Sequence, residues 1–325
     1  MEETNFTPRT DLSDLKNSIE LVRAEIKKII IGQRKIIDMM IAAVLADGHV
    51  LIEGVPGIAK TLLAKLVART ISADFSRIQF TPDLMPSDIL GTSVFNMKTT
   101  EFEFNRGPIF SNIILIDEIN RAPAKTQSAL FEAMEERQVT IDGTTHKLES
   151  PFTVFATQNP IEHEGTYKLP EAQLDRFLFK VEMDYPLPEE EVKILLDLHS
   201  RKNINDLSII QPVFTKEALK QLREKVRTTH MEEKVAGYIA QLVNNTRNNS
   251  DLYLGGSPRA SISIMIGAKA IAAINGRDFV TPDDVREVVY PALRHRILLT
   301  PEKEMEGRTP DDIIKTILER VEVPR

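Results

Sequence analysis

An apolar strand that runs straight into a glycine-containing loop and on into a helix restricts the folds open to a chain more than any other local feature. Residues 49–53 read HVLIE, residues 54–61 GVPGIAKT and residues 61–71 TLLAKLVARTI. The first is a short apolar strand and the last is a helix-forming stretch. The loop between them follows the pattern G-x-x-x-x-G-K-[ST], whose glycines let backbone N–H groups approach phosphate oxygens. The N-terminus of the helix that follows adds a favourable dipole. Gly54, Lys60 and Thr61 stand where the pattern requires, but Ala59 takes the place of the second glycine. Lys60 is placed to neutralise the outer phosphates, and Thr61 to offer a hydroxyl to Mg²⁺. The competing reading is a plain strand-to-helix turn with a solvated lysine.

The surroundings favour the phosphate loop. Ile113–Asp117 (IILID) is an uninterrupted apolar run, typical of a strand buried on both faces of a parallel sheet. Phe152–Thr157 (FTVFAT) is another such strand, Phe177–Val181 (FLFKV) a fifth, and Pro123–Gln138 a helix between them. The 57 residues from Lys60 to Asp117 leave room for one helix, one further strand and a hairpin. Strands alternating with helices predict an α/β doubly wound core.

Upstream, Ser13 is read as the cap of a helix with apolar residues at Leu15, Ile19, Val22, Ile26 and Ile30. A turn at Gly32 and a second helix to about Ala46 follow, and Asp47-Gly48 stops that helix. Two segments alternate as hairpins: Thr92–Phe104 around a Lys-Thr-Thr tip, and Gln138–Leu148 around Asp142-Gly143. On pattern alone both are surface decoration. After Tyr185-Pro-Leu-Pro188 only helical patterns appear, in Glu189–His199, Lys216–Arg227, Glu232–Asn245, Ser257–Asn275, Asp283–Val289 and Asp311–Val321. Two of these open with Thr-Pro-Asp-Asp, at 281 and 309, which is good helix-start chemistry. The expected division is therefore a core over 1–187 and an all-helical unit over 188–325.

Composition removes several function classes. The chain has no cysteine, which excludes a disulfide framework, a thiolate nucleophile and cysteine-ligated metal, and fits a reducing, cytoplasmic setting. The N-terminal MEETNFTPRT has neither a basic nor an apolar signal region. The longest apolar stretches, Ile36–Ala46 and Ile262–Ile274, are short and interrupted by charge, so no membrane insertion is expected. A net charge of −7 lacks the broad basic footprint of nucleic-acid binders.

Further candidates follow the loop in order. Asp117 ends its strand where a carboxylate can hold the Mg²⁺ hydration shell, and Glu118 is placed to polarise the attacking water. Asn159, in FATQNP, is read either as an orienter of that water or as an Asn-Pro turn. Arg176, in LPEAQLDRF, is either an arginine finger for a neighbouring subunit or the partner of Asp175 or Glu171. Arg259, in GGSPRAS, lies in a first helical turn, where a cation opposes the dipole and needs a functional reason. Glu162-His163-Glu164 is set aside as a metal cluster, because three successive residues do not converge on one ion.

Taken together, GVPGIAKT, IILIDEINRA, FATQNP, LPEAQLDRF and GGSPRAS resemble the MoxR family of AAA+ ATPases over essentially the whole chain. MoxR loops similarly read G-x-P-G-x-A-K-[ST], so Ala59 is a family variety, expected at a position already entering the helix. The resemblance implies an AAA+ core with a five-stranded parallel sheet and a helical lid, assembled as a homo-oligomeric ring, often a hexamer. It implies ATP and Mg²⁺ as cofactors. Gly54, Val55, Pro56, Gly57, Ile58, Ala59, Lys60 and Thr61 look like Walker A, and Asp117 and Glu118 like Walker B. Asn159 looks like sensor 1, Arg176 like the arginine finger, with Arg121 and Arg137 competing, and Arg259 like sensor 2. Ile31, Gly32 and Gln33 would lie near the adenine. The hairpins then become working parts at the ring's pore or face. The implied function is chaperone-like remodelling or maturation of protein clients, often with a von Willebrand factor A domain partner and sometimes inserting a metal cofactor. A magnesium-chelatase-like motor subunit is the alternative reading. A DNA-translocating motor is a third, which the acidic charge and 6% aromatic content oppose.

Overall fold

A parallel sheet whose central strands present apolar residues to both faces must be covered on both sides, and the chain meets that demand with two layers of helices. The computed structural model describes residues 12–160, 166–200 and 207–324. The strands are β1 (Val50–Gly54), β2 (Phe75–Gln79), β3 (Ile113–Asp117), β4 (Thr153–Gln158) and β5 (Phe179–Met183). They form one parallel sheet in the order β5-β1-β4-β3-β2. Among the described residues the helices are α1 (Ser13–Lys27), α2 (Arg34–Leu45), α3 (Lys60–Arg69), α4 (Pro86–Leu90), α5 (Ala124–Glu136) and α6 (Glu171–Leu174). They continue as α7 (Pro188–Ser200), α8 (Lys216–Arg227), α9 (Glu233–Arg247), α10 (Pro258–Ile274), α11 (Pro282–Leu293), α12 (Pro301–Met305) and α13 (Pro310–Arg320).

The strand period of two divides the core. Ile113 and Leu115 join Phe155, Phe179 and the apolar faces of α1, α2 and α3, while Ile114 and Ile116 join Val154, Leu130 and Phe131 on the opposite face. The first cluster runs on without a break into α8 to α11 and α13, so one apolar body links helices from both sides of residue 187.

Several elements differ from the sequence expectation. The second strand is β2, a mostly exposed edge strand that no apolar run announced. The fifth starts at Phe179 and not Phe177, because its pairing with β1 begins at Val50↔Phe179 while Leu178 N–H is still bonded to His49. The first helix has Leu12 at its cap position and Ser13 already inside. α11 continues through Pro291 to Leu293 where a stop at Val289 was expected; the proline deletes one helical N–H, but Val288, Val289, Ala292 and Leu293 are buried, and that packing outweighs the lost bond. The C-terminal part is also not purely helical: Phe214–Thr215 pairs with Ile71–Ser72, and Leu252–Leu254 with Leu298–Leu299.

Both Thr-Pro-Asp-Asp phrases form capping boxes, with Asp284 and Asp312 bonding back to Thr281 and Thr309. Both hairpins form, Gly91–Asn96 with Glu101–Arg106 and Gln138–Ile141 with Thr144–Lys147. Asp142 and Gly143 take φ values of 49° and 76°, the left-handed pair that a tight two-residue turn demands. The hairpins touch: Ser93 donates to Asp142 at 2.6 Å and the Phe104 ring stacks on His146 at 4.3 Å. Among the described residues no helix is long and apolar enough to cross a membrane.

Candidate functional site

The order β5-β1-β4-β3-β2 makes the chain change direction beside β1, and ligands of such sheets bind at the carboxyl ends of the strands at that point. A cleft of about 670 Å³ lies there. Its lining includes Pro56 to Thr61 from the loop, Asp117 and Glu118 from the end of β3, and Thr157 to Asn159 from the end of β4. Three segments spread over about a hundred residues of chain are thus brought to one place.

The loop is built to receive an anion. Gly57 has φ +87°, and a Cβ added there would meet nothing within 4 Å, so its backbone faces open space. Gly54 is tightly packed, since a Cβ would sit 2.5 Å from Ile58 Cδ1 and 2.7 Å from Met183 O. Lys60 folds back on the loop, donating to Gly54 O and, at 2.9 Å, to Val55 O. Burial lowers the Lys60 pKa, and Glu118, Glu53 and Asp117 work against that effect. A half-buried ammonium tied to two carbonyls gains from a phosphate oxygen nearby.

Ala59 corrects one expectation. It is the N-cap of α3 with φ +67°, so it is still left-handed and has not entered the helix. That conformation is the reason a glycine is usual at this position, and alanine costs about 1–2 kcal/mol there. Its methyl packs, with Ile58, against the main apolar cluster.

The two carboxylates have distinct surroundings. Asp117 Oδ1 accepts from Thr61 Oγ1 at 2.8 Å and from Thr157 Oγ1 at 3.3 Å, while Oδ2 accepts from Arg77 Nε at 2.6 Å. Glu118 follows the strand in a left-handed conformation, φ 58°, of the kind stored at functional sites. Its N–H donates to Thr157 Oγ1 at 3.0 Å, and its carboxylate accepts from Gln79 at 2.8 Å and pairs with Arg121 at 3.3 Å. One buried hydroxyl, that of Thr157, therefore ties both acids together. The hydroxyl of Thr61 beside the carboxylate of Asp117 is the kind of oxygen pair a hard divalent cation takes when water and phosphate complete its octahedron. The site fits Mg²⁺ and a triphosphate.

Thr157, Arg77 and Gln79 are members of the site that the sequence reading missed. In the sequence Thr157 reads only as part of a buried strand. Arg77 and Gln79 alternate around Ile78 in SRIQ, a period-two polar face that was the available signal.

The remaining candidates are placed elsewhere. Ile31, Gly32 and Gln33 do not line the cleft; Gln33 donates to Asp184 O at 3.3 Å, and Gly32 lies against the Glu190 carboxylate. Arg176 and Arg259 also lie outside the cleft. Neither ion pair expected of Arg176 forms: it donates to Phe131 O at 2.6 Å and lies 3.9 Å from Glu135, while Asp175 is taken by Arg296 at 2.6 Å. Arg259 pairs with the same Glu135. Of the competing arginines, Arg121 serves its own chain's Glu118. Arg137 is half-buried, donating to Phe152 O at 2.5 Å and Asp47 O at 2.7 Å, with its guanidinium 5.1 Å above the Phe152 ring. Glu162-His163-Glu164 lies outside the described residues.

Comparison with known proteins agrees with this geometry. A profile for the ATPase family associated with various cellular activities (AAA) matches residues 49–179, and an AAA lid domain profile matches residues 244–317. The protein YeaC of Bacillus subtilis is 48% identical over 92% of this chain and 92% of its own length. Chaperone MoxR1 of Mycobacterium tuberculosis is 44% identical over 95% of this chain and 83% of its own. A solved structure from Cytophaga hutchinsonii is similar at a TM-score of 0.87 and 42% identity, covering 96% of this chain and 97% of the other.

Proposed function

The chain belongs to the MoxR family of AAA+ ATPases, and from that membership we propose that it hydrolyses ATP at sites shared between neighbouring copies in a ring. One observation carries the reading: a complete phosphate loop and acid pair converge on the cleft, while both candidate arginines point their charge elsewhere. An arginine finger that reaches no phosphate of its own chain is free to serve a neighbour's. The bonds that hold Arg137 to Phe152 O and Asp47 O and the pairing of Arg121 with Glu118 support Arg176 as that finger.

In this reading Gly54 to Thr61 wrap the phosphates with backbone N–H groups, and Lys60 exchanges its carbonyl partners for phosphate oxygens. Thr61 and Asp117 hold Mg²⁺, which when bound supplies charge neutralisation at the phosphates. Asn159 orients a water in line with the γ-phosphorus and Glu118 accepts its proton. The bond from that phosphorus to the bridging oxygen breaks as the new P–O bond forms, and ADP leaves with the electron pair. Arg176 and Arg259 from the adjoining copy stabilise charge on the transferring group. Ile31 to Gln33 border the adenine.

The ring, which we take as a hexamer, passes this cycle to a protein client by movement of a lid unit, residues 188–325, against the core, residues 1–187. The chaperone name of a relative supports remodelling of a protein client. A client with a von Willebrand factor A domain, or one that receives a metal cofactor, is the finer form of the same proposal.

The test is the Mg²⁺-dependent ATPase rate per subunit against protein concentration. The expected result is a specific rate that climbs with concentration, vanishes in Glu118→Gln and is lost in Arg176→Ala with ATP binding retained. A rate that is flat with concentration and indifferent to Arg176 would overturn the shared site.

A further inference from the structure

Glu135 stands in the last turn of α5, and its carboxylate faces two guanidiniums from distant parts of the chain. Arg259, in the first turn of α10, donates to Oε1, and Nη1 of Arg176, just beyond α6, lies 3.9 Å from Oε2. The three side chains are between 30% and 40% exposed, so the cluster faces solvent. A different joint already ties the end of α11 to residues 175–178. Arg296 is 3% exposed and donates to Asp175 at 2.6 Å, to Phe177 O at 2.6 Å and to Leu178 O at 3.2 Å. Because α10 packs on α11, the Glu135 cluster is not the main bolt between that helix pair and the sheet.

We propose that Glu135 is a positioning residue that holds Arg176 and Arg259 together as a pair aimed at the triphosphate of an adjoining copy. This rests on the shared-site reading above. Two guanidiniums meant for one phosphate repel each other, and Arg259 carries the further penalty of a cation at a helix N-terminus. A carboxylate between them offsets both effects and fixes their spacing before the phosphate arrives, which is the preorganisation that transition-state stabilisation requires. One carboxylate against two guanidiniums leaves a net positive charge, so the cluster still attracts a triphosphate. Phe131 O, bonded to Arg176 at 2.6 Å, lies one turn before Glu135 on the same helix, so α5 orients that arginine twice.

The test mixes subunits. Lys60→Ala chains have a disabled phosphate loop but an intact arginine pair; Glu135→Ala chains have the reverse. Alone, Glu135→Ala is expected to lose at least tenfold in kcat with KM for ATP changed less than about threefold. Glu135→Gln, which keeps the shape and removes the charge, should lose a similar amount, and it carries the test if the alanine variant fails to fold. Glu135→Asp should recover part of the rate. Mixed with Lys60→Ala chains, Glu135→Ala should regain activity, because its intact loop then meets the neighbour's intact pair. If the Arg176→Ala plus Lys60→Ala mixture recovers activity and the Glu135→Ala mixture does not, Glu135 serves its own chain, and the proposal falls while the shared site stands. If neither mixture recovers, the shared-site reading is wrong and this inference falls with it. Wild-type kcat in Glu135→Ala alone also overturns it.

Discussion

Replacing Thr157 by valine should damage both acids at once while leaving the phosphate loop untouched. Valine matches threonine in shape but has no hydroxyl. Thr157 is 2% exposed, so water does not replace what is lost. The Glu118 N–H, now bonded to Thr157 Oγ1 at 3.0 Å, would be left without that acceptor, at a cost of about 1–3 kcal/mol. Asp117 would lose a long donation of 3.3 Å but keep those of Thr61 and Arg77, which adds about 1 kcal/mol. The sum is about 2–4 kcal/mol, which lowers the melting temperature by roughly 3–6 °C in a chain of this size. Hydrolysis should suffer further, because Glu118 sits in a strained left-handed conformation that this bond helps to hold. A displacement of even 1 Å at such a group is worth up to about a hundredfold, so a kcat loss of tenfold or more is expected, with the Kd for ATP unchanged within about threefold. Thermal denaturation, calorimetric ATP binding and steady-state hydrolysis measure the three quantities. Thr157→Ser, which keeps the hydroxyl, should stay within about 1 kcal/mol of the parent, the value of one lost methyl group. A valine variant that melts and hydrolyses like the wild type would show that Thr157 does not tie the acids together.

Stability should fall with acid beginning near pH 6.5. His49 and His295 are buried, and burial pushes both well below their ordinary value, with nearby Arg137 and Arg296 adding like-charge repulsion. Nδ1 of His49 also accepts the Val154 N–H at 3.0 Å, a bond only the unprotonated nitrogen can make. Both imidazoles thus stay neutral in the folded chain while the unfolded chain takes up protons below about 6.5, removing up to about 1.4 kcal/mol per pH unit for each. Their contribution is complete above that value and is lost below it. Glu182 and Glu287, whose carboxyls burial pushes up, act in the opposite sense, losing stability as the pH rises from the ordinary 4.5. Urea unfolding at several pH values checks the slope, and His49→Gln should remove about half of it; an unchanged slope would contradict the assignment. Ala59→Gly relieves the left-handed strain but gives the unfolded chain more freedom, so stability should move by less than about 1 kcal/mol and ATP affinity by less than about threefold. A gain in affinity of orders of magnitude would mean that the methyl obstructs the phosphates.

Much of the site was legible in the sequence because its first half is made of local features. A buried strand, a left-handed loop and a helix start each depend on neighbouring residues, so GVPGIAKT and IILIDE could be placed by pattern, as could the Asp142-Gly143 turn and both Thr-Pro-Asp-Asp caps. The edge strand Phe75–Gln79 was not legible in the same way, because its exposed, mixed composition has no apolar run to betray it. Its two contributions, Arg77 on Asp117 and Gln79 on Glu118, exist only because the strand order puts β2 beside β3. The same holds for Thr157, which reads as one more residue of a buried strand until β4 is seen alongside β3. Local pattern also stops α11 at Val289, two residues before Pro291, where burial of the following turn carries the helix on.

The sequence by itself determined the chemistry available to this protein: a lysine and a threonine on a phosphate loop, two adjacent acids at a strand end, an amide after the next strand and several arginines. Only the tertiary structure decided which of these meet. It gathered the loop and the acids at one end of the sheet, tied Arg137 to the backbone of Phe152 and Asp47, and set Arg176 and Arg259 on a shared carboxylate away from the cleft. The physical reason is range. Backbone conformation answers to residues a few positions away, whereas the pairing of Glu135 with Arg259 spans 124 positions and depends on how every layer between them packs.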